Sequence, residues 1–125
     1  MAPRRRVRYA LAGLAIVLVV ALGFWFWFQP SGIGEYGHSP DGRFEAHAMN
    51  MTRPTLGGGQ EQWIEIWVIE VVTGREVWRV VHRHPPGADV PSYGARGAKF
   101  IEWAPDSSAV TIPVAGGQPM TLTIR

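Results

Sequence analysis

The sequence predicts an all-β domain, a meander of six or seven antiparallel strands with a blade-like or sandwich-like layout, carried on one transmembrane α-helix. Three observations predict it. Residues 9–28, YALAGLAIVLVVALGFWFWF, form an uncharged run behind Arg4, Arg5, Arg6 and Arg8. Beyond residue 30 the chain alternates short apolar stretches with Pro/Gly turns. No apolar spacing of three and four residues is sustained there, so amphipathic helices are not expected.

At about 1.5 Å of rise per residue, the run at 9–28 makes a helix of about 30 Å, the thickness of a bilayer's hydrocarbon core. A cleaved signal peptide would carry a shorter apolar centre and a small-x-small cleavage site. Here the run ends in Phe24-Trp25-Phe26-Trp27-Phe28-Gln29-Pro30, so it reads as an uncleaved anchor. Arginines precede the span and none follows closely, which by the positive-inside rule places the basic leader, residues 1–8, in the cytoplasm. The expected location is a bacterial inner membrane, with the domain in the periplasm.

Five consecutive aromatics, Phe24 to Phe28, surround the helix and suit an interfacial belt in contact with membrane lipid. They also form a candidate docking collar for a neighbouring helix, a lipid or a flat cofactor. Ala10 with Gly13 and Ala12 with Ala15 form a small-residue patch where another helix could approach. A strict G-x-x-x-G is absent, so a homo-oligomer has little support. No His, Asp or Glu lies in the span, which leaves it without a side-chain ligand for a pigment or haem and without a proton relay.

The 97 residues from Gln29 to Arg125 suffice for one small domain. Four of the twelve basic residues belong to the leader, leaving eight against ten acidic ones. A domain near −2 lacks the basic face that nucleic-acid binding needs. The absence of cysteine excludes disulfides, thiolate metal sites and a cysteine nucleophile.

Residues 29–34, QPSGIG, read as a short linker, with the domain expected over 35–125. A short strand at 36–38 meets the turn Ser39-Pro40-Asp41-Gly42, and a strand over 43–51 follows. Residues 52–60, with Pro54 and three glycines, read as a flexible loop. The strand over 62–72, QWIEIWVIEVV, is apolar on both faces and is expected to be central and covered twice. Thr73-Gly74 turns it into a return strand, 76–84, through a tight hairpin with a bulge. Residues 84–97 form a long Pro/Gly excursion, a candidate contact loop that contributes Pro85, Pro86 and Tyr93 to possible docking. A second hairpin is expected over 98–103 and 108–114 about the turn Ala104-Pro105-Asp106-Ser107. Met120, Leu122 and Ile124 then alternate with Thr121 and Thr123 in a last strand.

Ser39-Pro40-Asp41-Gly42-Arg43-Phe44 and Trp103-Ala104-Pro105-Asp106-Ser107-Ser108-Ala109-Val110, with the hairpin ending in Val72-Thr73-Gly74-Arg75-Glu76, resemble the WD-like repeats of bacterial Tol-type β-propellers. The resemblance implies a binding platform with no catalytic residue to carry over. The two Pro-Asp turns lie 65 residues apart, against about 40–45 in a usual repeat, and a closed propeller needs more blades than fit here. Either several chains contribute blades, or the same hairpins build a small freestanding sheet or sandwich, which is the preferred reading.

Candidate chemistry is sparse. His82 and His84 share one strand face but, flanked by Arg83 and Pro85, read as a solvated strand end; His38 and His47 would have to join them to make a metal cluster. Glu65 and Glu70 lie on opposite faces of their strand, with Arg75 or Arg79 as cross-strand partners. Asp41 and Asp106 suit Asx-type turns. Gly57-Gly58-Gly59 lacks the G-K-[ST] of a phosphate loop, and Ser107-Ser108 has no nucleophile-elbow context. The sequence therefore predicts no catalytic residue, cofactor or metal. It predicts a non-catalytic accessory or scaffold subunit of a larger membrane complex, respiratory or photosynthetic for example, with integral membrane proteins as partners. The alternative is an independent membrane-tethered binding or envelope-assembly module.

Overall fold

The computed structural model describes residues 3–90 and 100–124. Helix α1 (Pro3–Trp27) comes first, followed by β1 (Ser31–His38), β2 (Phe44–Pro54), β3 (Gln60–Glu70), β4 (Glu76–Arg83), β5 (Glu102–Trp103), β6 (Ala109–Ile112) and β7 (Met120–Thr123). The domain is antiparallel throughout but is not one meander. It has a four-stranded sheet ordered β1-β2-β3-β4 and a three-stranded sheet ordered β5-β6-β7.

Helix α1 buries none of its residues. It is long and apolar enough to cross a membrane, with a mean hydropathy of 2.4 in its most apolar window. It begins inside the basic leader, at Pro3, a residue that suits a first helical turn because its missing N–H would have no partner there. Its end is marked by the bonds Phe28 N to Phe24 O and Gln29 N to Phe26 O, after which Pro30 stops it.

The core lies between the sheets. Phe44, Ala46 and Ala48 of β2 and Ile64, Ile66 and Val68 of β3 face Val110 and Ile112 of β6 and Leu122 of β7, with Phe100, Ile101 and Val114 filling the margins. The period of two is complete on β2 and β3, where every even position from 44 to 48 and from 64 to 68 is buried. Ala46 and Ala48 contribute little volume, which lets the second sheet approach β2 closely.

Several expectations change. The linker is only three residues long, because β1 starts at Ser31, opposite Thr52; the glycines at 32, 34 and 37 weaken the strand signal, yet the β2 ladder supplies partners for their backbone. The flexible loop over 52–60 shrinks to a tight connection closed by Thr55 N to Gly59 O and Gly58 N to Thr55 O, so β2 and β3 form one long hairpin. Strand β3 is interior to its sheet but covered on one face only: Ile64, Ile66 and Val68 are fully buried, whereas Trp63, Trp67 and Ile69 are half-buried. The bulge expected in the β3–β4 hairpin is present, with the register shifting at Val68/Ile69 so that Val77 is the extra residue on β4. The strand expected over 98–103 is reduced to Glu102–Trp103, and residues 98 and 99 lie outside the described residues.

On the outer face of the large sheet one row crosses all four strands. Tyr36 lies opposite His47, His47 opposite Trp67 and Trp67 opposite Arg79. The Tyr36 and His47 rings stack at 5.8 Å, those of His47 and Trp67 at 4.9 Å with planes 4° apart, and the Arg79 guanidinium sits 5.4 Å from the Trp67 ring. Glu76 holds that guanidinium from the side through two bonds of 2.8 and 2.7 Å. These stacked planes shelter the apolar ring faces from water without a second protein layer.

Two truncations separate the faces. Ile66→Ala, which opens a cavity between the sheets, is expected to cost about 3–4 kcal/mol, and Trp67→Ala, which removes the middle of the outer stack, about 1–2 kcal/mol. Urea unfolding of the full chain in detergent, followed by tryptophan fluorescence and far-UV circular dichroism, measures both.

Candidate functional site

Three regions carry the side chains singled out by the sequence. The first is the aromatic collar. Phe24, Trp25, Phe26 and Trp27 are exposed, and Phe28 is half-buried. Phe24 and Phe28, one turn apart, stack at 5.9 Å. Gly23 leaves open space above the backbone, and Val20, Phe24, Trp27 and Phe28 wall an apolar notch of about 490 Å³ around it. The lining of the notch is predominantly apolar.

The second region is the pair of Pro-Asp turns, whose backbone bonds are the same. Gly42 N donates to Ser39 O and Ser107 N to Ala104 O, both at 2.9 Å; Ser39 N donates to Phe44 O and Ala104 N to Ala109 O, both at 2.8 Å. The Asx roles expected of the aspartates are present: Asp41 Oδ1 accepts from Arg43 N at 3.0 Å, and Asp106 Oδ1 from Ser108 N at 3.1 Å. The fourth position of each turn needs φ > 0, met by Gly42 at 71° and by Ser107 at 62°. Serine tolerates that backbone poorly, yet the buried Ser107 hydroxyl accepts the Asp41 N–H at 3.1 Å and so joins one turn to the other. Trp103 adds a second bond between the sheets, donating its indole N–H to Gly37 O at 3.0 Å. The Ser39 hydroxyl, and then the Arg43 N–H, hold the Asp41 carboxyl below its usual range; the Ser108 hydroxyl and N–H do the same for Asp106. These turns are structural fasteners.

The third region is the histidines. His38 and His47 both reach Glu45 on the outer face, at 3.2 and 2.5 Å. His82 and His84 lie instead on the inner face, because His82 pairs with Ile64 and His84 N donates to Gln62 O, continuing the parity of Val80 opposite Ile66. The expected solvated strand end is therefore wrong for His84, which is 9% exposed. Burial, and next the neighbouring His82, push its pKa down. The two pairs are on opposite faces of one sheet and do not combine. Among the described residues no group of three or more His, Asp or Glu could hold a metal.

The carboxylates have local partners. Glu70 accepts from Thr73 Oγ1 at 2.6 Å and lies 3.8 Å from Arg75, as expected of a cross-strand pair. Glu65 departs from its expected arginine and accepts the Trp63 indole N–H at 3.0 Å, since Arg79 is committed to Glu76. Glu61 gathers Arg53 and Arg83, and the Arg53 bond is the main cause of its lowered pKa. Of the contact-loop residues, Pro85 and Pro86 are exposed, and Pro85 abuts the 115–119 turn, where a Cβ at Gly116 would lie 2.8 Å from the proline ring. Tyr93 lies outside the described residues. The outer stack was not legible beforehand, because its members come from four strands whose register no local pattern states.

One apolar helix leading into a two-sheet antiparallel β domain is the class of protein that these regions define. Comparison with protein-family models, curated proteins and solved structures finds no match for this chain. The likeness to propeller repeats therefore rests on the turns and the hairpin themselves.

Two outcomes follow for the turns. Ser107→Ala keeps the unfavourable φ and loses the bond to Asp41 N, and is expected to lower unfolding free energy by about 1 kcal/mol; Ser107→Gly relieves the backbone and costs less, as urea midpoints would show. A carboxylate whose folded pKa is depressed contributes stability above its unfolded value, near 4, and loses it as pH falls through the folded value. The urea midpoint should therefore drop as pH falls below about 4, and this drop should be shallower in the Asp41→Asn, Asp106→Asn double variant.

Proposed function

We propose that this chain is a non-catalytic accessory subunit of a larger membrane protein complex, docked through α1 and its aromatic collar. In this reading the β domain covers the complex on the outer face of a bacterial inner membrane. One observation supports the proposal: an apolar notch at Gly23, walled by α1 and Phe28, opens on the collar only a few residues before β1. A collar joined to its sheet by Phe28, Gln29 and Pro30 leaves the domain little freedom to reach a distant ligand. Respiratory and photosynthetic assemblies are the type of complex that such single-span subunits suit. The four-stranded sheet is read as blade-like and the pair of sheets as a small sandwich built from propeller-type hairpins, which needs no closed ring.

The orientation proposed, N-terminus inside, follows from Arg4, Arg5, Arg6 and Arg8. The groove along β1 and β5, lined among others by Glu35, Tyr36, His38, Glu102 and Trp103, is mixed in character, and its described lining pairs no hydroxyl or thiol nucleophile with a base. The second reading, an independent tethered module that holds a peptide or glycan on its loops, would place binding at 52–61 and 85–97.

A photo-crosslinking residue at position 25 or 27, followed by mild detergent extraction, is expected to join the chain to an integral membrane protein. The proposal fails if the protein migrates only as a lone species of 13.8 kDa. A periplasm-dependent enzyme fused after residue 125 is expected to be active, and activity only of a cytoplasm-dependent reporter would reverse the orientation.

A further inference from the structure

The β2–β3 hairpin is the part of the large sheet that reaches furthest past the point where the chain arrives from α1. Ser31, the first residue of β1, lies opposite Thr52, and β2 then runs on through Arg53 and Pro54 before the turn over 55–59 brings it back to Gln60. At about 3.3 Å per residue the overhang is roughly 10 Å. Only Phe28, Gln29 and Pro30 separate α1 from Ser31, and they hold that end of the sheet within about 14 Å of Trp27. The hairpin tip therefore projects back from the end of the sheet that is tied to the aromatic collar.

The chemistry of this tip is graded along its length. Leu56 stands at its apex, 90% exposed, and no charged side chain occurs from Pro54 to Gln60. Behind the apex, Arg53 and Arg83 both meet Glu61, which leaves one positive charge in excess, and the Arg53 guanidinium lies 5.7 Å from the half-buried Trp63 ring. An apolar apex followed by tryptophan and arginine is the order in which a protein surface meets a bilayer: acyl chains first, then the headgroup level with its phosphates. Exposure alone does not single Leu56 out, since Val72 is also 90% exposed. Val72, however, lies just beyond Glu70, which pairs with Phe44 at the other end of β2, and there Glu70 and Glu76 balance Arg75 and Arg79.

We propose that the tip of the β2–β3 hairpin is a lipid contact: Leu56 enters the leaflet next to the domain, and Arg53 and Arg83 face the lipid phosphates. The inference rests on α1 crossing that bilayer, and it adds a second point at which the domain is held. One leucine would not anchor a free protein, because a single side chain buries too little apolar area. Tethered by α1, the tip is already beside the surface, and the contact has only to set the tilt of the domain. The strands of the large sheet then stand upright on the membrane, with the Pro-Asp turns at the far end.

The chain has no cysteine, so a single introduced cysteine reports one position. Full-length Leu56→Cys, Val72→Cys and, in the middle of α1, Val19→Cys carry a nitrobenzoxadiazole probe in phosphatidylcholine nanodiscs, with folding checked by far-UV circular dichroism and with lipid spin-labelled either near the headgroup or deep in the acyl chain. The probe at 56 is expected to emit at shorter wavelength than the probe at 72 and to lose most of its emission to the shallow spin label, while the probe at 72 keeps its own. In the unsubstituted protein the same lipid should broaden the methyl NMR signals of Leu56 and spare those of Val72. Equal quenching at 56 and 72, with the probe at 19 quenched by the deep label, overturns the insertion and leaves the span standing. A probe at 19 that neither label quenches removes the span, and the proposal with it.

Discussion

The β domain depends on one dry seam. Ile64, Ile66 and Val68 present three consecutive branched side chains from the same face of β3, and Ala46 and Ala48 beside them keep the surface shallow enough for Val110, Ile112 and Leu122 to settle onto it. At about 25 cal/mol per Å² of apolar area removed from water, a few such residues supply most of what a small domain without disulfides has to hold it. Every other feature is placed by that seam. The parity that turns residues 64, 66 and 68 inward turns Trp63, Glu65 and Trp67 outward, and the antiparallel ladder carries the same choice to β1, β2 and β4.

Both faces of the large sheet are organised by cross-strand neighbours, with opposite chemistry. Outside, Tyr36, His47, Trp67 and Arg79 stack face to face, leaving edges and charge for water. Inside, the apolar rows give way at the helix-proximal end to Asn50, Thr52, His82 and His84. The bulge at Val77 determines how β4 contributes to both: past it, Val80, His82 and His84 follow the inner parity and Arg79 the outer. The seam between the sheets is then fastened away from the helix by the two Pro-Asp turns, joined through Ser107 Oγ and Asp41 N.

Much of this was legible in the residues. The long apolar helix, its basic flank and its aromatic end follow from composition, because length and polarity along one uninterrupted run are read directly from the residues. Both Pro-Asp turns and the bulged Thr73-Gly74 hairpin follow from local φ requirements, as Gly42 and Gly74 in left-handed conformation bear out. The histidines show the limit. Sequence alone puts His82 and His84 on one face of a strand but not on which face, and Arg83 and Pro85 beside them suggested water. The first part of strand β1 was likewise hidden: a short strand was expected only at 36–38, since Gly32 and Gly34 carry no pattern of their own and acquire strand geometry only from the partner that bonds them.

The sequence by itself determined the helix, the all-β class, the turn positions and the alternation within each strand, because these depend on bonds and spacings within a few residues. The tertiary structure alone decided that the described strands divide into two sheets, that β3 is covered on one side, which residues form the outer stack, and that His82 and His84 face inward, with His84 buried. Those outcomes depend on register and on sheet-to-sheet contact. Residues as distant as Asp41 and Ser107 meet only after the chain has folded back across itself, and no local pattern encodes that meeting.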